Sequence, residues 1–256
     1  MTFALPDHIS GLENLPRMPA WVTSTRAETL EDVAFLSGAA LNHLHLVLGH
    51  EAVPQALLRD RLALRAAESC VGFSGRSERL GELRDAVHLL RPGDLPGPAG
   101  ETYLAWRHAV ERPVSIKALG RALPSLDPGQ IAARLDAGNG MPVTRAAMVQ
   151  EAVLTEAPHA EVPALILADA ALAQALGWDQ LMPLLAAGLK RADLRKQGGD
   201  LRIACHRALI SSAVEAVRLA TDLARRATHL KAVAPKLRAK GAVDAVEMFL
   251  TRDAVA

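Results

Sequence analysis

The nine histidines are the first residues to consider for chemistry, because imidazole binds metals and transfers protons. His43 and His45 lie two positions apart, so on a helix they point to different faces, and no H-E-x-x-H motif occurs in the chain. His43 and His50 share a face, but no second pair of ligands accompanies them. The spacing therefore predicts no metal site, and we expect no cofactor and assign no catalytic residue.

The tripeptide Gly138-Asn139-Gly140 is a second candidate, because a glycine-rich loop before a helix can present backbone amides to a phosphate. It lies just ahead of a helix that Pro142 is predicted to open. Gly138, Asn139 and Gly140 are therefore candidate cofactor-binding residues. The alternative is an ordinary turn, which needs the same residue types and is the favoured interpretation.

A basic segment is the third candidate. Residues 190–240 contain 13 basic and 4 acidic side chains, a net charge of +9, although the whole chain has a net charge of only +1. Such a segment can bind nucleic acid through its phosphates, and the candidate residues are Arg225, Arg226, Lys231, Lys236, Arg238 and Lys240. The alternative, slightly favoured, is a solvated helix face whose charges oppose helix dipoles and the acidic remainder of the protein. No aromatic stacking residue lies in the segment, so sequence-specific reading of bases is not expected.

The composition indicates the elements that must position these residues. Half of the 256 residues are hydrophobic and the mean hydropathy is +0.13, which excludes a disordered chain. Aromatic residues number only eight, and the apolar half is dominated by Ala, Leu and Val, which favours helices over sheets. We predict an all-α fold, a multi-helix bundle with one long C-terminal helix and a final helix separated from it by Pro235.

Periodicity and capping residues place the helices along the chain. Thr25 and Glu28 have the spacing of a capping box and predict the start of the first long helix. Residues 165–176 offer no polar face and predict a buried central helix, and Asp200 is predicted to cap the long C-terminal helix. Three prolines and three glycines at 91–100 suggest a joint within a helical domain of residues 1–234, with residues 235–256 forming a separate C-terminal element.

Two features bear on location. Cys70 and Cys205 are far apart and neither belongs to a C-x-x-C pair, which is typical of a protein in the reducing cytoplasm. The longest uncharged run, residues 33–50, contains Asn42 and three histidines, so it predicts a buried core helix and no membrane span. We expect a cytoplasmic protein with no membrane contact.

Several segments carry a family likeness. They are residues 61–70 (RLALRAAESC), 82–100 (ELRDAVHLLRPGDLPGPAG), 168–187 (ADAALAQALGWDQLMPLLAA) and 218–242 (RLATDLARRATHLKAVAPKLRAKGA). Together they resemble the bacterial family called domain of unknown function 1403, over most of the chain. The family name implies no activity.

Two further likenesses follow from this resemblance. The order of the helical segments is distantly similar to the scaffold of Fic-type AMP-transferases, but residues 136–141 (DAGNGM) carry an extra Ala, end in Met where that motif has Arg, and follow no His-Pro. The resemblance therefore implies at most a degenerate, non-catalytic nucleotide-handling relative. Family members also look as though they continue into a segment similar to a winged helix, of which residues 235–256 would be the truncated start.

These observations favour a non-enzymatic interaction protein with a protein partner. A protein that binds nucleic acid, DNA included, through phosphate contacts and a degenerate Fic-like protein remain the alternatives. A basic face formed by residues 190–240 would favour nucleic-acid binding. A pocket with convergent polar groups near Gly138–Gly140 would favour the Fic-like alternative.

Overall fold

The computed structural model describes residues 15–234 and 242–252. Helices account for all the regular secondary structure in these residues, with no strand among them, so the predicted all-α class is confirmed. In chain order the helices are α1 (Ala20–Ser24), α2 (Leu30–Leu48), α3 (Gln55–Phe73), α4 (Leu80–His88), α5 (Gly97–Glu111), α6 (Ile116–Ala122), α7 (Pro128–Asp136), α8 (Pro142–Glu156), α9 (Glu161–Ala175), α10 (Leu185–Gly188), α11 (Gly198–Val233) and α12 (Ala242–Thr251). A 3₁₀ helix, Arg191–Arg195, precedes α11.

Helix α9 is the centre of the bundle. It packs against α8 along its length and also touches α3, α5, α7 and α10, and every residue from Ala164 to Ala173 is buried. Alanine and leucine supply nearly all of this surface, so the prediction of a buried central helix is confirmed. Asp169, at the middle of this helix, is a carboxyl group buried among the apolar residues.

Asp169 joins α9 to the short helix α10. The backbone N–H of Leu185 donates to Asp169 Oδ1 at 3.1 Å, at the N-terminus of α10. Burial raises the pKa of the Asp169 carboxyl well above its usual range, and the N–H groups of Leu185, Leu184 and Ala186 oppose that rise. The carboxyl therefore supplies a hydrogen-bond acceptor to a helix end that has no access to water.

Helix α10 in turn rests directly on α11. A Cβ placed on Gly188 would collide with the backbone of Ala208, so only glycine allows this close approach. The long helix α11 then packs against α2, α8 and α3. The predicted long C-terminal helix is confirmed, and α11 spans 36 residues.

Two helix starts differ from the prediction. Thr25 ends α1 in extended backbone, and the capping box forms at Thr29 and Asp32 instead, with the Asp32 N–H donating to Thr29 Oγ1 at 3.1 Å and the Thr29 N–H donating to Asp32 Oδ2 at 2.9 Å. The Thr29-x-x-Asp32 capping box lies immediately before the buried Val33. Together the cap and the buried side chain fix the start of α2. Helix α11 begins at Gly198, before Asp200, because the Glu151 carboxylate accepts the Gly198 N–H at 3.2 Å.

The proline-rich segment 91–100 is a short loop followed by the first turn of α5. Helix α5 begins at Gly97, and Pro98 lies in its first turn, where its missing N–H costs nothing. It packs against α3 and α4, which precede the loop. The division of the chain at 91–100 and at residue 235 stays a prediction, and Pro235 lies outside the described residues.

The final helix α12 is present and packs against α3 and α11. Within the described residues, no helix combines the length and the apolar character needed to cross a membrane. The uncharged run at 33–50 forms most of α2, whose inner face is buried, as the sequence predicted.

Replacing Leu172 by Asp tests the central position of α9. Leu172 is fully buried, so a carboxylate there has no partner and should destabilise the fold by about 3 kcal/mol or more. Circular dichroism melting should show a large fall in Tm, whereas Gln174→Asp on the exposed side of the same helix should change it little. A Leu172→Asp protein that melts within a few degrees of the wild type would contradict the central role of α9.

Candidate functional site

A cavity with a mostly apolar wall lies on helix α2. It encloses about 510 Å³ between α2, the first turn of α8, the end of α9 and α11, and we call it the α2 groove. Carbon atoms form most of its wall, with a few polar groups among them. Its lining residues are Leu30, Ala34, Ser37, Gly38, Leu41, Asn42, His45, Met141, Pro142, Val143, Thr144, Leu176, Trp178 and His206.

A buried serine–histidine pair forms part of the groove wall. Ser37 Oγ lies 2.6 Å from His206 Nδ1, and the Ser37 hydroxyl donates to the Ala34 carbonyl at 3.0 Å. Because the hydroxyl has a single proton, this assignment makes His206 Nδ1–H the donor to Ser37 Oγ. Burial lowers the pKa of His206, with a smaller contribution from the charge of Arg202, so the imidazole is held neutral.

Among the described residues no carboxylate bonds to His206, so the Ser37–His206 pair lacks the third group that orients the base in a catalytic triad. The pair instead joins α2 to α11, two helices that are far apart in sequence.

Trp178 holds the loop after α9 against α2. Its Nε1–H donates to His45 Nδ1 at 2.9 Å, and the two rings lie nearly parallel with centroids 6.4 Å apart. Asn42, one turn earlier on α2, is exposed in the groove and its amide bonds to no other described residue. Asn42 is therefore available to a ligand.

Large apolar side chains are exposed around the groove. Phe35 is 68% exposed and Leu46 55%, both on the outer face of α2, while Met141 at the rim is 75% exposed. Trp21, 43% exposed, stacks on Phe35 with ring centroids 5.6 Å apart. Trp21 and Phe35 line a separate cavity of about 540 Å³, which shares Ala34 with the groove.

The structure gives Gly138 and Gly140 conformational roles. A Cβ on Gly138 would collide with Arg145 and Val149, and Gly140 has a φ of +82°, which side-chain-bearing residues rarely adopt. Asn139 is exposed between them. The tripeptide does not line the groove, but the residues that follow it, from Met141 to Thr144, do. Its role in cofactor binding stays a prediction.

Two of the six basic candidates share one carboxylate, that of Asp222. Arg225 Nη2 lies 2.8 Å from Asp222 Oδ1, and Arg226 Nε lies 2.8 Å from Asp222 Oδ2. Lys231 is exposed near the end of α11. The other three candidates, Lys236, Arg238 and Lys240, lie outside the described residues, so the proposed phosphate-binding face stays a prediction.

The remaining candidate groups are separated from one another. His43 Nε2 lies 3.0 Å from the Pro16 carbonyl, and the described residues contain no group of three or more His, Cys, Asp and Glu that could hold a metal ion. Cys70 and Cys205 are both buried and free, and burial raises the pKa of each thiol to about 12. Neither cysteine is therefore a thiolate near neutral pH.

The sequence did not identify the groove. Ser37 and His206 are 169 positions apart, and no local pattern indicates that they meet. The available signal was the periodicity of α2, in which Phe35 and Leu46 fall on the face opposite the buried Val33, Leu36 and Leu44.

The described residues form an all-helical fold with a mostly apolar groove on α2. The model of the family Protein of unknown function (DUF1403) matches residues 6–256, and the chain belongs to this family, as the sequence resemblance implied. Comparison with curated proteins finds no match, and comparison with solved structures finds none. The distant likeness to Fic-type proteins thus gains no support.

The state of His206 predicts a pH dependence of stability. The pKa of His206 is lowered from 6.5 in the folded protein, so the folded state favours the neutral imidazole. The resulting contribution to the free energy of unfolding is fully present above pH 6.5 and is lost as the pH falls below 6.5. The fall in Tm from about pH 7.5 to about pH 5 should be smaller in His206→Gln than in the wild type. Replacing the exposed His159 by Gln should leave the wild-type fall unchanged, and an equal fall in all three proteins would refute the assignment.

The basic segment should bind duplex DNA weakly, because Asp222 already pairs with Arg225 and Arg226. Fluorescence anisotropy with a labelled duplex at two salt concentrations measures this. Submicromolar binding at about 0.15 M salt would overturn the expectation, and six phosphate contacts would then give a log–log salt slope of roughly −5. In that case, neutralising Lys236, Arg238 and Lys240 together should roughly halve the slope.

Proposed function

We propose that this protein is a non-enzymatic interaction protein that binds an apolar helix of a protein partner along the α2 groove. The observation that carries the proposal is an apolar cavity of about 510 Å³ on α2, together with the large apolar side chains of Phe35, Leu46 and Met141 that are exposed on α2 and at the rim of the cavity. The apolar groups of this surface are not required for the core, because the inner face of α2 is already covered.

The spacing along α2 suits a helical partner. Phe35, Gly38, Asn42 and Leu46 fall on one exposed stripe about three turns long, roughly 16 Å at 1.5 Å per residue. Space is open beside the Cα of Gly38, so a partner helix can approach the backbone closely there. Amphipathic helices bind in this manner by placing apolar side chains at intervals of three and four residues into a groove.

The polar groups of the groove fit recognition better than catalysis. Ser37 and His206 bond to each other, as do His45 and Trp178, so these four side chains hold the wall in place. Asn42 can fix the register of a partner by hydrogen bonding. The cytoplasm is the location we infer for this role, from the two free thiols.

The two alternatives have less support. Nucleic-acid binding would use a separate surface on α11, where a shared carboxylate reduces the charge of two candidate arginines. Nucleotide handling would need the amides around Gly138, which is buried against α8.

Filling the groove at Gly38 tests the proposal. Gly38→Gln places a side chain in open space and replaces a residue of poor helix propensity, so the fold should be retained while the partner is excluded. Gly72→Gln is the matched control, since Gly72 is also an exposed glycine within a helix with open space beside it.

The measurement compares proteins co-purified from the native host with the wild type and the two variants. A partner retained by wild type and Gly72→Gln should be lost with Gly38→Gln, and its purified form should bind Gly38→Gln at least tenfold more weakly. A partner that binds all three alike, or no partner in the wild-type sample, would overturn the proposal. Binding of nucleic acid in its place would favour the basic surface on α11.

A further inference from the structure

A second cavity, whose lining includes three arginines, lies between α3, α5 and the end of α12. It encloses about 330 Å³, and we call it the α3–α5 cavity. Three arginines contribute to it, Arg59 from α3, Arg107 from α5 and Arg252 from just beyond α12, together with His108. Asp60 and Glu111 are its acidic residues.

Arg59 is the unusual member of this set. Its Nε atom is buried and has no hydrogen-bond partner among the described residues, and none of their carboxylates forms an ion pair with it. Burial also lowers the pKa of its guanidinium. A cation removed from water is costly unless an anion or acceptor compensates it, so buried arginines are normally paired.

The nearest carboxylate in sequence is engaged elsewhere. Asp60 is buried, accepts a hydrogen bond from the Tyr103 hydroxyl at 3.3 Å, and lies 3.7 Å from Arg107 Nε. Adjacent residues on a helix point in different directions, so Asp60 reaches α5 although both side chains line the cavity. The three arginines of the lining outnumber its two carboxylates, Asp60 and Glu111, so these five side chains carry a net charge of +1.

We propose that the α3–α5 cavity binds a phosphate group, with the Arg59 guanidinium as its principal ligand and Arg107, His108 and Arg252 around it. Guanidinium groups match the oxygen atoms of phosphate with paired hydrogen bonds, which strengthens the interaction in a partly desolvated site. A volume of about 330 Å³ accommodates a phosphate with a small organic group attached. The site is separate from the α2 groove and does not depend on the function proposed for it.

Phosphate binding would also join α12 to the body of the protein. Helix α12 touches α3 and α11, and Arg252 directly follows it. An anion held between Arg59 and Arg252 would link α3 to that helix end. Hydrogen exchange in α12 should therefore slow when phosphate is bound.

Isothermal titration calorimetry of the full chain at constant ionic strength tests the site, with inorganic phosphate, AMP and a sugar phosphate as separate ligands. We expect saturable binding of at least one of them. Binding of inorganic phosphate identifies the free ion as sufficient, whereas binding of a phosphate ester alone identifies an organic phosphate, and both results support the site. No saturable binding of any of the three would overturn the proposal.

Substitutions locate the binding. Arg59→Gln should weaken it at least tenfold and abolish the slowing of exchange in α12, while Arg65→Gln, on the same helix but outside the cavity, should bind as the wild type does. Arg252→Gln, at an exposed position, provides a second variant that should weaken binding without disturbing the core. Equal affinity in wild type, Arg59→Gln and Arg252→Gln would refute the assignment.

Discussion

The architecture depends on the burial of α9 and on the one carboxyl group inside it. Asp169 accepts the N–H of Leu185 in a part of the core without water, and this bond fixes α10 against α9. Gly188 then brings α10 onto the backbone of α11, and the Ser37–His206 bond joins α11 to α2. Through this series of contacts, α9 sets the position of the α2 groove, although only the end of α9 lines the groove.

This dependence explains how α2 can present apolar groups on two faces. Its inner residues, among them Ala40, Leu44 and Val47, are fully buried, so the bundle is complete without Phe35 and Leu46. Exposed apolar side chains lower solubility and contribute little to the core. Binding to a partner gives such residues a role that folding does not.

Sequence patterns predicted the helices whose boundaries depend on local chemistry. At the start of α7, Asp127 and Pro128 are residues typical of an N-cap and a first helical turn, and Gln130 completes the capping box. The boundaries that failed depend on tertiary contacts or on a competing local motif. Glu151 on α8 sets the start of α11, and Thr29 with Asp32 replaces Thr25 with Glu28. The groove could not be predicted, because its polar contacts join residues from helices far apart in the chain.

The charged residues also show that position in the sequence does not by itself predict which side chains meet in the structure. The basic segment is prominent in the sequence, yet on a helix its arginines meet acids three and four positions away: Arg218 pairs with Glu215, while Arg225 and Arg226 share Asp222. Arg59 is inconspicuous beside Asp60, but helical geometry directs the two side chains apart and Asp60 contacts Tyr103 and Arg107. An exposed ion pair changes binding energies little, whereas an unpaired, half-buried guanidinium carries a large desolvation cost that an anion can relieve. For this chain the half-buried and unpaired Arg59, which lines a cavity with two other arginines, is therefore a stronger indication of an anion site than the segment with a net charge of +9.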